Sequence, residues 1–366
     1  MAYCFDIHGV QPFGIIPIVK CKGCGITLQY DDPNALGYTP KKESEYCQRC
    51  FRLRHYGDQM ISLKQGIDPN TVISTIADSD GIIAWIVDLL DFDFGFIDDF
   101  NHVFFGKTII LIVTKSDLVA GVIDADKLYG FIMARLRVKK IVIDGLIVTG
   151  SYGYAQYQDV KDELFRIANG QTIIFAGKAN AGKSTLINGL LDQDLLTTSR
   201  YPGTTIAFNP ITLSNGLTIM DTPGIENTGS MLLSVDDGTI KQLLPTKPIK
   251  PKVFQVYSNQ SYALGGLVRL DLEPVDHASI VIYMENNLKI HRTPLVNADA
   301  LWTNHKGSLL SPIAHGKYIS YGISNGIDGC DIVIHGLGWI SIHGNYQSIT
   351  LRLPEHVDYT IRQRMI

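Results

Sequence analysis

Short apolar runs alternate with segments of helical period through the middle of the chain. Gly81 to Val87 is nearly all apolar, and it ends at Asp88. Lys107 to Val113 repeats the pattern and ends at Thr114-Lys115-Ser116-Asp117. Ile141 to Val148 contains a third run, ending near Thr149-Gly150-Ser151, and Thr172 to Ala176 is a fourth. Continuous apolar runs of this length suit strands covered on both faces. Residues 125–138, 157–168 and the stretch from Thr185 read as helices between or after them. Strand–helix alternation with polar residues at the strand C-termini predicts a doubly wound α/β sheet with its ligand at those ends.

Beyond this region, Phe208 to Leu213 and Leu217 to Met220 flank Asn215-Gly216, which predicts a hairpin with a two-residue turn. Pro245, Pro248 and Pro251, interleaved with Lys247, Lys250 and Lys252, read as a linker. The remainder is strand-like and punctuated by glycine, as at Ser279 to Tyr283, Asp331 to His335 and Trp339 to His343. The expected organisation is a small module over residues 1–60, an α/β domain over 61–235 and a β-rich domain over 236–366. The histidines of the last part, His335 among them, are scattered and read as ordinary surface or core residues.

Composition narrows the class. Of 366 residues, 45% are hydrophobic and 19% charged, which describes a folded chain. The formal net charge of −4 does not announce a nucleic-acid partner, so any basic surface is local. No apolar run reaches the roughly 18 residues that a membrane span requires. With no export signal read at the start, the expectation is a cytoplasmic protein without a membrane partner. Cys21, Cys24, Cys47 and Cys50 form two C-x-x-C pairs. Two such knuckles suit one tetrahedral Cys4 zinc site. Arg49, Phe51, Arg52, Arg54, His55 and Tyr56 interleave basic and aromatic groups beside it, as RNA phosphates and bases would require. A solvated basic face with a packed Phe51 and Tyr56 is the alternative reading.

The strongest chemistry lies at Gly177-Lys178-Ala179-Asn180-Ala181-Gly182-Lys183-Ser184, which fits G-x-x-x-x-G-K-[ST] between a strand and a helix. Backbone groups of Asn180, Ala181, Gly182, Ser184 and Thr185 would surround phosphates at a helix N-terminus. Lys183 would reach the β- and γ-phosphates, and Ser184 would hold Mg²⁺. Asp221-Thr222-Pro223-Gly224 ends a strand. Asp221 is placed to hold Mg²⁺, and the Gly224 N–H to meet a γ-phosphate. Thr205, in Tyr201 to Thr205, is the expected third Mg²⁺ ligand. Asp117 can accept from both N1–H and N2–H₂ of guanine, at about 1.5–3 kcal/mol per charge-assisted bond. Lys115 would pack its stem along the base.

Thr114 to Asp117 resembles the N-K-x-D guanine motif, with Thr in the Asn position, and Thr149 to Ser151 falls where a second base-contacting segment is expected. Base motifs therefore precede the phosphate loop, and the order is a circular permutation of the usual GTPase order. Permutation is tolerable because domain termini often lie close together. The chain resembles the bacterial YqeH family of permuted GTPases. The carriers are the Cys21 to Cys50 module, Asp88, Asp91-Phe92-Asp93-Phe94, Leu264 to Asp271 and Gly336-Leu337-Gly338-Trp339. The resemblance implies GTP and GDP binding, GTP hydrolysis with Mg²⁺, zinc in the N-terminal module, and a role in assembling the small ribosomal subunit on 16S rRNA. Asn180 resembles the asparagine that helps hold K⁺ in related GTPases. Ile225 stands where many small GTPases place a water-orienting Gln, so slow intrinsic hydrolysis is expected, stimulated by K⁺ and the ribosomal partner. An RNA-binding scaffold that turns nucleotide over slowly is the rival reading. An ATP-using enzyme is disfavoured by Lys115 and Asp117.

Overall fold

The computed structural model describes residues 19–22, 26–33, 37–48, 51, 68–150, 154–191, 208–323 and 329–366. Helix α1 (Pro69–Asp78), capped by the Asp68 carboxylate, leads into β1 (Ile82–Asp88). A 3-10 segment, Leu89–Phe94, and the one-turn α2 (Phe100–Val103) follow, then β2 (Ile109–Thr114). Helix α3 (Ala125–Val138) has the predicted bounds, and Asp124 caps its N-terminus. Next come β3 (Gly145–Val148), α4 (Tyr154–Ala168), β4 (Ile173–Gly177) and α5 (Lys183–Leu190). Strands β5 (Asn209–Thr212) and β6 (Thr218–Asp221) complete a six-stranded sheet of order β3-β2-β1-β4-β6-β5. All its pairings are parallel except β5 with β6. The central β1 and β4 are buried along almost their whole length, which explains their unbroken apolar runs.

The β5–β6 turn departs from expectation. Leu213 N donates to Leu217 O at 2.8 Å, so the loop holds three residues, not two. Gly216, at φ 86°, donates to Leu213 O, and the Asn215 side chain accepts from Leu217 N at 3.1 Å. The Asn215 side chain takes a bond that a two-residue turn would leave to the backbone.

Helix α6 (Asp237–Leu243) precedes a β-rich unit. One five-stranded antiparallel sheet has the order β16-β13-β14-β10-β7 and the other β11-β8-β9-β15-β12. In chain order these are β7 (Lys252–Val256), β8 (Gln260–Leu264), β9 (Val268–Pro274), β10 (Ala278–Met284) and β11 (Ile290–Pro294). After α7 (Ala298–His305) come β12 (Tyr318–Ile323), β13 (Cys330–Ile334), β14 (Gly338–His343), β15 (Tyr346–Pro354) and β16 (Tyr359–Gln363). Leu270, Leu272, Ile280, Ile332, Ile340 and Leu351 are fully buried in the apolar core that the two sheets share. Met231, Leu232 and Val235, from the segment read as the end of the α/β unit, join that core.

The proline-rich stretch does not hang free as a linker. Ile249 is buried and donates to Leu118 O at 2.8 Å. Lys250 N donates to the Asn286 side chain, and that side chain donates to Pro248 O. Prolines that lack an N–H left these neighbouring groups to find partners on both units. A second apolar cluster runs from Trp85, Phe92 and Phe131 through Ile225 to Tyr283, Val333, Trp339 and Met365, so the two units share packing.

Candidate functional site

The phosphate loop leaves β4 at Gly177, where a Cβ would stand 2.4 Å from Ile86 O. Its turn needs left-handed backbone at Asn180 (φ 64°) and Gly182 (φ 88°). The loop opens onto α5, whose first residue is Lys183. Lys183, 7% exposed, forms a close ion pair with Asp221 at the end of β6. The lysine expected at the phosphates and the aspartate expected at Mg²⁺ thus neutralise each other. Ser184 and Thr185 follow in the first turn of α5, Ser184 half-buried and Thr185 exposed. Ser184 and Asp221 offer the hard oxygens that Mg²⁺ prefers.

On the base side, β2 ends at Thr114, and Lys115 turns the chain with φ 62°. The Thr114 hydroxyl is buried and donates to Ala181 O at 2.6 Å. Threonine therefore ties the end of β2 directly to the phosphate loop. Lys115 pairs with Asp88 at 2.6 Å. Burial pushes the Asp88 carboxyl above the usual aspartate value, and Lys115 pulls it back. Gly150 packs so closely on Asp117 that a Cβ would stand 2.4 Å from its Oδ1. Ser116 N donates to Thr149 O at 3.2 Å. The Thr149-Gly150 segment thus supports the Lys115 to Asp117 turn through its backbone, a role its side chains did not advertise.

The turn after Asp221 is laced to the phosphate loop. Ala179 N donates to Ile225 O at 2.8 Å, and Ile225 N to Gly177 O at 3.1 Å. Ile225 is 3% exposed and packs into the shared apolar cluster. Lys178 Nζ reaches Asn227 Oδ1 at 3.4 Å. From there the chain enters the β-rich unit. Asp358 N donates to Gly229 O, Met231 N to His335 O, and the Ser234 hydroxyl meets His356 Nε2 at 2.6 Å. His335, read from sequence as an ordinary histidine, faces Asp91 at 3.1 Å and contacts Asn227. Asp93 is gripped by Arg135 of α3 and by Arg362 of β16, the latter at 2.8 Å. The Asp91 to Phe94 segment therefore docks the two units. Gly336, at φ 73°, donates to Asp91 Oδ1 and passes so near Ser230 that only glycine fits.

Ser151, Thr204 and Thr205 lie outside the described residues, as do Cys24, Cys50 and the stretch Arg52 to Tyr56. Cys21 and Cys47 are described. Both are buried, and Cys47 N donates to Cys21 Sγ at 3.2 Å. One cysteine of each knuckle is thus brought together. Among the described residues there is no group of three or more side chains able to hold a metal ion. No helix among them is long and apolar enough to cross a membrane.

Comparison with known proteins agrees with this arrangement. Residues 172–255 match the family described as 50S ribosome-binding GTPase, and residues 277–365 the family described as YqeH-like, C-terminal. The chain is 33% identical over 365 residues to uncharacterized protein YqeH of Bacillus subtilis strain 168, covering 95% of this chain and 99% of that protein. It is 26% identical over 221 residues to a probable ribosome biogenesis GTPase A of Mycoplasma genitalium, 59% of this chain and 77% of that one. A shorter match, 41% identical over 66 residues, covers 16% of this chain and 19% of small ribosomal subunit biogenesis GTPase RsgA 2 of Lactiplantibacillus plantarum.

Proposed function

Since the chain belongs to the YqeH-like circularly permuted GTPases, we propose that it is a GTP-hydrolysing assembly factor for the small (30S) ribosomal subunit. In this reading it is a nucleotide-controlled switch on 16S rRNA. The observation that carries the proposal is the unbroken path from the γ-phosphate turn at Gly224, through Ile225 and Asn227, into the β-rich unit. An element that senses the third phosphate and also anchors a second unit is what a switch requires. Lys183 would exchange the Asp221 carboxylate for phosphate oxygens. Ser184, Asp221 and Thr205 would hold Mg²⁺, which neutralises charge on the phosphates. Asp117 would select guanine, with Ser151 beside it. The Asn180 side chain is exposed at the loop apex, where K⁺ would assist. The buried Cys21–Cys47 contact fits one half of a Cys4 zinc site, with Cys24 and Cys50 as the other ligands.

Single-turnover hydrolysis on purified small subunits, in K⁺ and in Na⁺ buffer, tests the proposal. Stimulation by subunits and by K⁺ is expected. Identical slow turnover in all conditions would favour the second reading, an RNA-binding scaffold that binds guanine nucleotide with little turnover. Ile225 favours that second reading, because its side chain is buried and cannot orient water by hydrogen bonding. Competition by GTP, GDP and ATP against labelled GDP separates both from an ATP-using enzyme.

A further inference from the structure

His335 closes the turn between β13 and β14 and is 1% exposed. Its ring stacks on Phe94, 4.3 Å between centroids and 4° from parallel. Nε2 lies 3.1 Å from Asp91 Oδ2 and also contacts the amide of Asn227. Nδ1 is buried without a hydrogen-bond partner.

A single ring nitrogen cannot serve both neighbours in the same way. It either donates a proton to Asp91 or accepts one from the Asn227 NH₂ group. Accepting would set a lone pair against the Asp91 carboxylate and bury an N–H at Nδ1 with no acceptor. Donating leaves only a bare lone pair at Nδ1, the milder arrangement. The ring is therefore held in the Nε2–H form by Asp91, with the Asn227 amide against the same nitrogen. The other end of that amide, Oδ1, meets Lys178 of the phosphate loop at 3.4 Å. One amide is thus shared between the phosphate loop and the β-rich unit.

The segment this amide anchors occupies the γ-phosphate side of the loop. Gly224 packs against Ala179, where a Cβ would stand 3.3 Å from the Ala179 Cα. The Ala179 N–H is spent on Ile225 O. A third phosphate must part this lacing to meet the Gly224 N–H, whereas a diphosphate can leave it in place. Anchoring Asn227, two residues beyond Ile225, opposes the parting.

We propose that His335 is a positioning residue that, by holding Asn227 to the β-rich unit, biases the nucleotide site toward GDP. The proposal rests on the guanine-nucleotide reading above. Coupling is reciprocal, so GTP binding must in turn loosen the His335–Asn227 contact.

The test is titration of the full chain with fluorescent GDP and with a non-hydrolysable GTP analogue. Wild type is expected to prefer GDP. His335→Ala and Asn227→Ala should each raise affinity for the analogue by about fivefold or more, the usual lower range of such coupling. GDP affinity should stay unchanged, which general destabilisation would not produce. The double variant should match either single one, because both remove the same contact. Should His335→Ala fail to fold, the half-buried Asn227 supplies the same readout alone. Equal changes for both nucleotides, an unchanged ratio, or additive effects would overturn the proposal and leave the GTPase assignment intact. Wild type binding neither nucleotide would remove the proposed function together with this inference.

Discussion

The Thr114 hydroxyl donates to the Ala181 carbonyl at 2.6 Å, joining the end of β2 to the phosphate loop through a buried bond. Thr114→Val keeps the β-branched shape and removes the donor. Leaving a buried acceptor unpaired costs about 1–3 kcal/mol. We expect GDP affinity to fall by roughly 5- to 150-fold on that scale, with Thr114→Ser retaining most of it. Equilibrium titration checks both.

Lys183 and Asp221 neutralise each other in a buried pair. Lys183→Ala removes the ammonium beside the Asp221 carboxylate and should cost about 3–5 kcal/mol of stability, as breaking one side of a buried pair does. The double change Lys183→Met with Asp221→Leu should recover most of that loss while restoring no nucleotide binding. Urea melts read the first outcome and nucleotide titration the second.

Asp93 holds two arginines from different units, Arg135 and Arg362, and Arg362 also reaches Asp331 at 3.3 Å. The Arg362 guanidinium lies over the Phe131 ring, 4.8 Å from its centroid, and over the Trp339 ring, 5.5 Å from its centroid. Asp93→Ala should lower the melting temperature and split unfolding into two calorimetric transitions, one for each unit. Asp271→Ala, a change within the β-rich unit, should leave a single transition.

Asp88 titrates above the ordinary aspartate range because burial disfavours its charge, although Lys115 partly offsets this. A carboxyl raised in the folded state contributes most below its unfolded value, near pH 4, and loses that contribution as pH rises through the folded value. Asp88→Asn, fixed in a neutral form, should therefore gain stability relative to wild type as pH rises from about 4 to 7. Thermal melts of the nucleotide-free proteins measure the trend.

Much of the fold is legible from sequence because its cause is local. The apolar runs at Gly81 to Val87 and Thr172 to Ala176 are strands buried on both faces, and the helix read over 125–138 keeps those bounds. The Asn215-Gly216 turn misleads because a side-chain bond to Leu217 N adds a residue to the loop. The proline stretch reads as a linker because its anchors, Leu118 and Asn286, are remote in sequence. The same distance hides His335, whose partners lie at Asp91, Phe94 and Asn227. The one available signal was that Asp91 to Phe94 and Gly336 to Trp339 both carried the family resemblance without a chemical role. Each proves to be half of the same docking surface.

The sheet order has a consequence during synthesis. Strand β1 lies between β2 and β4, yet β4 begins at Ile173, 85 residues after β1 ends at Asp88 (173 − 88). At the usual 5–20 residues per second, β1 is an open, largely apolar edge for about 4–17 s after it is made. The half carrying Thr114 to Asp117 is then complete in sequence but lacks the strand that carries the phosphate loop. Nucleotide can close the seam only as a late arrival, so the interval before β4 emerges is when the nascent chain most needs protection from aggregation.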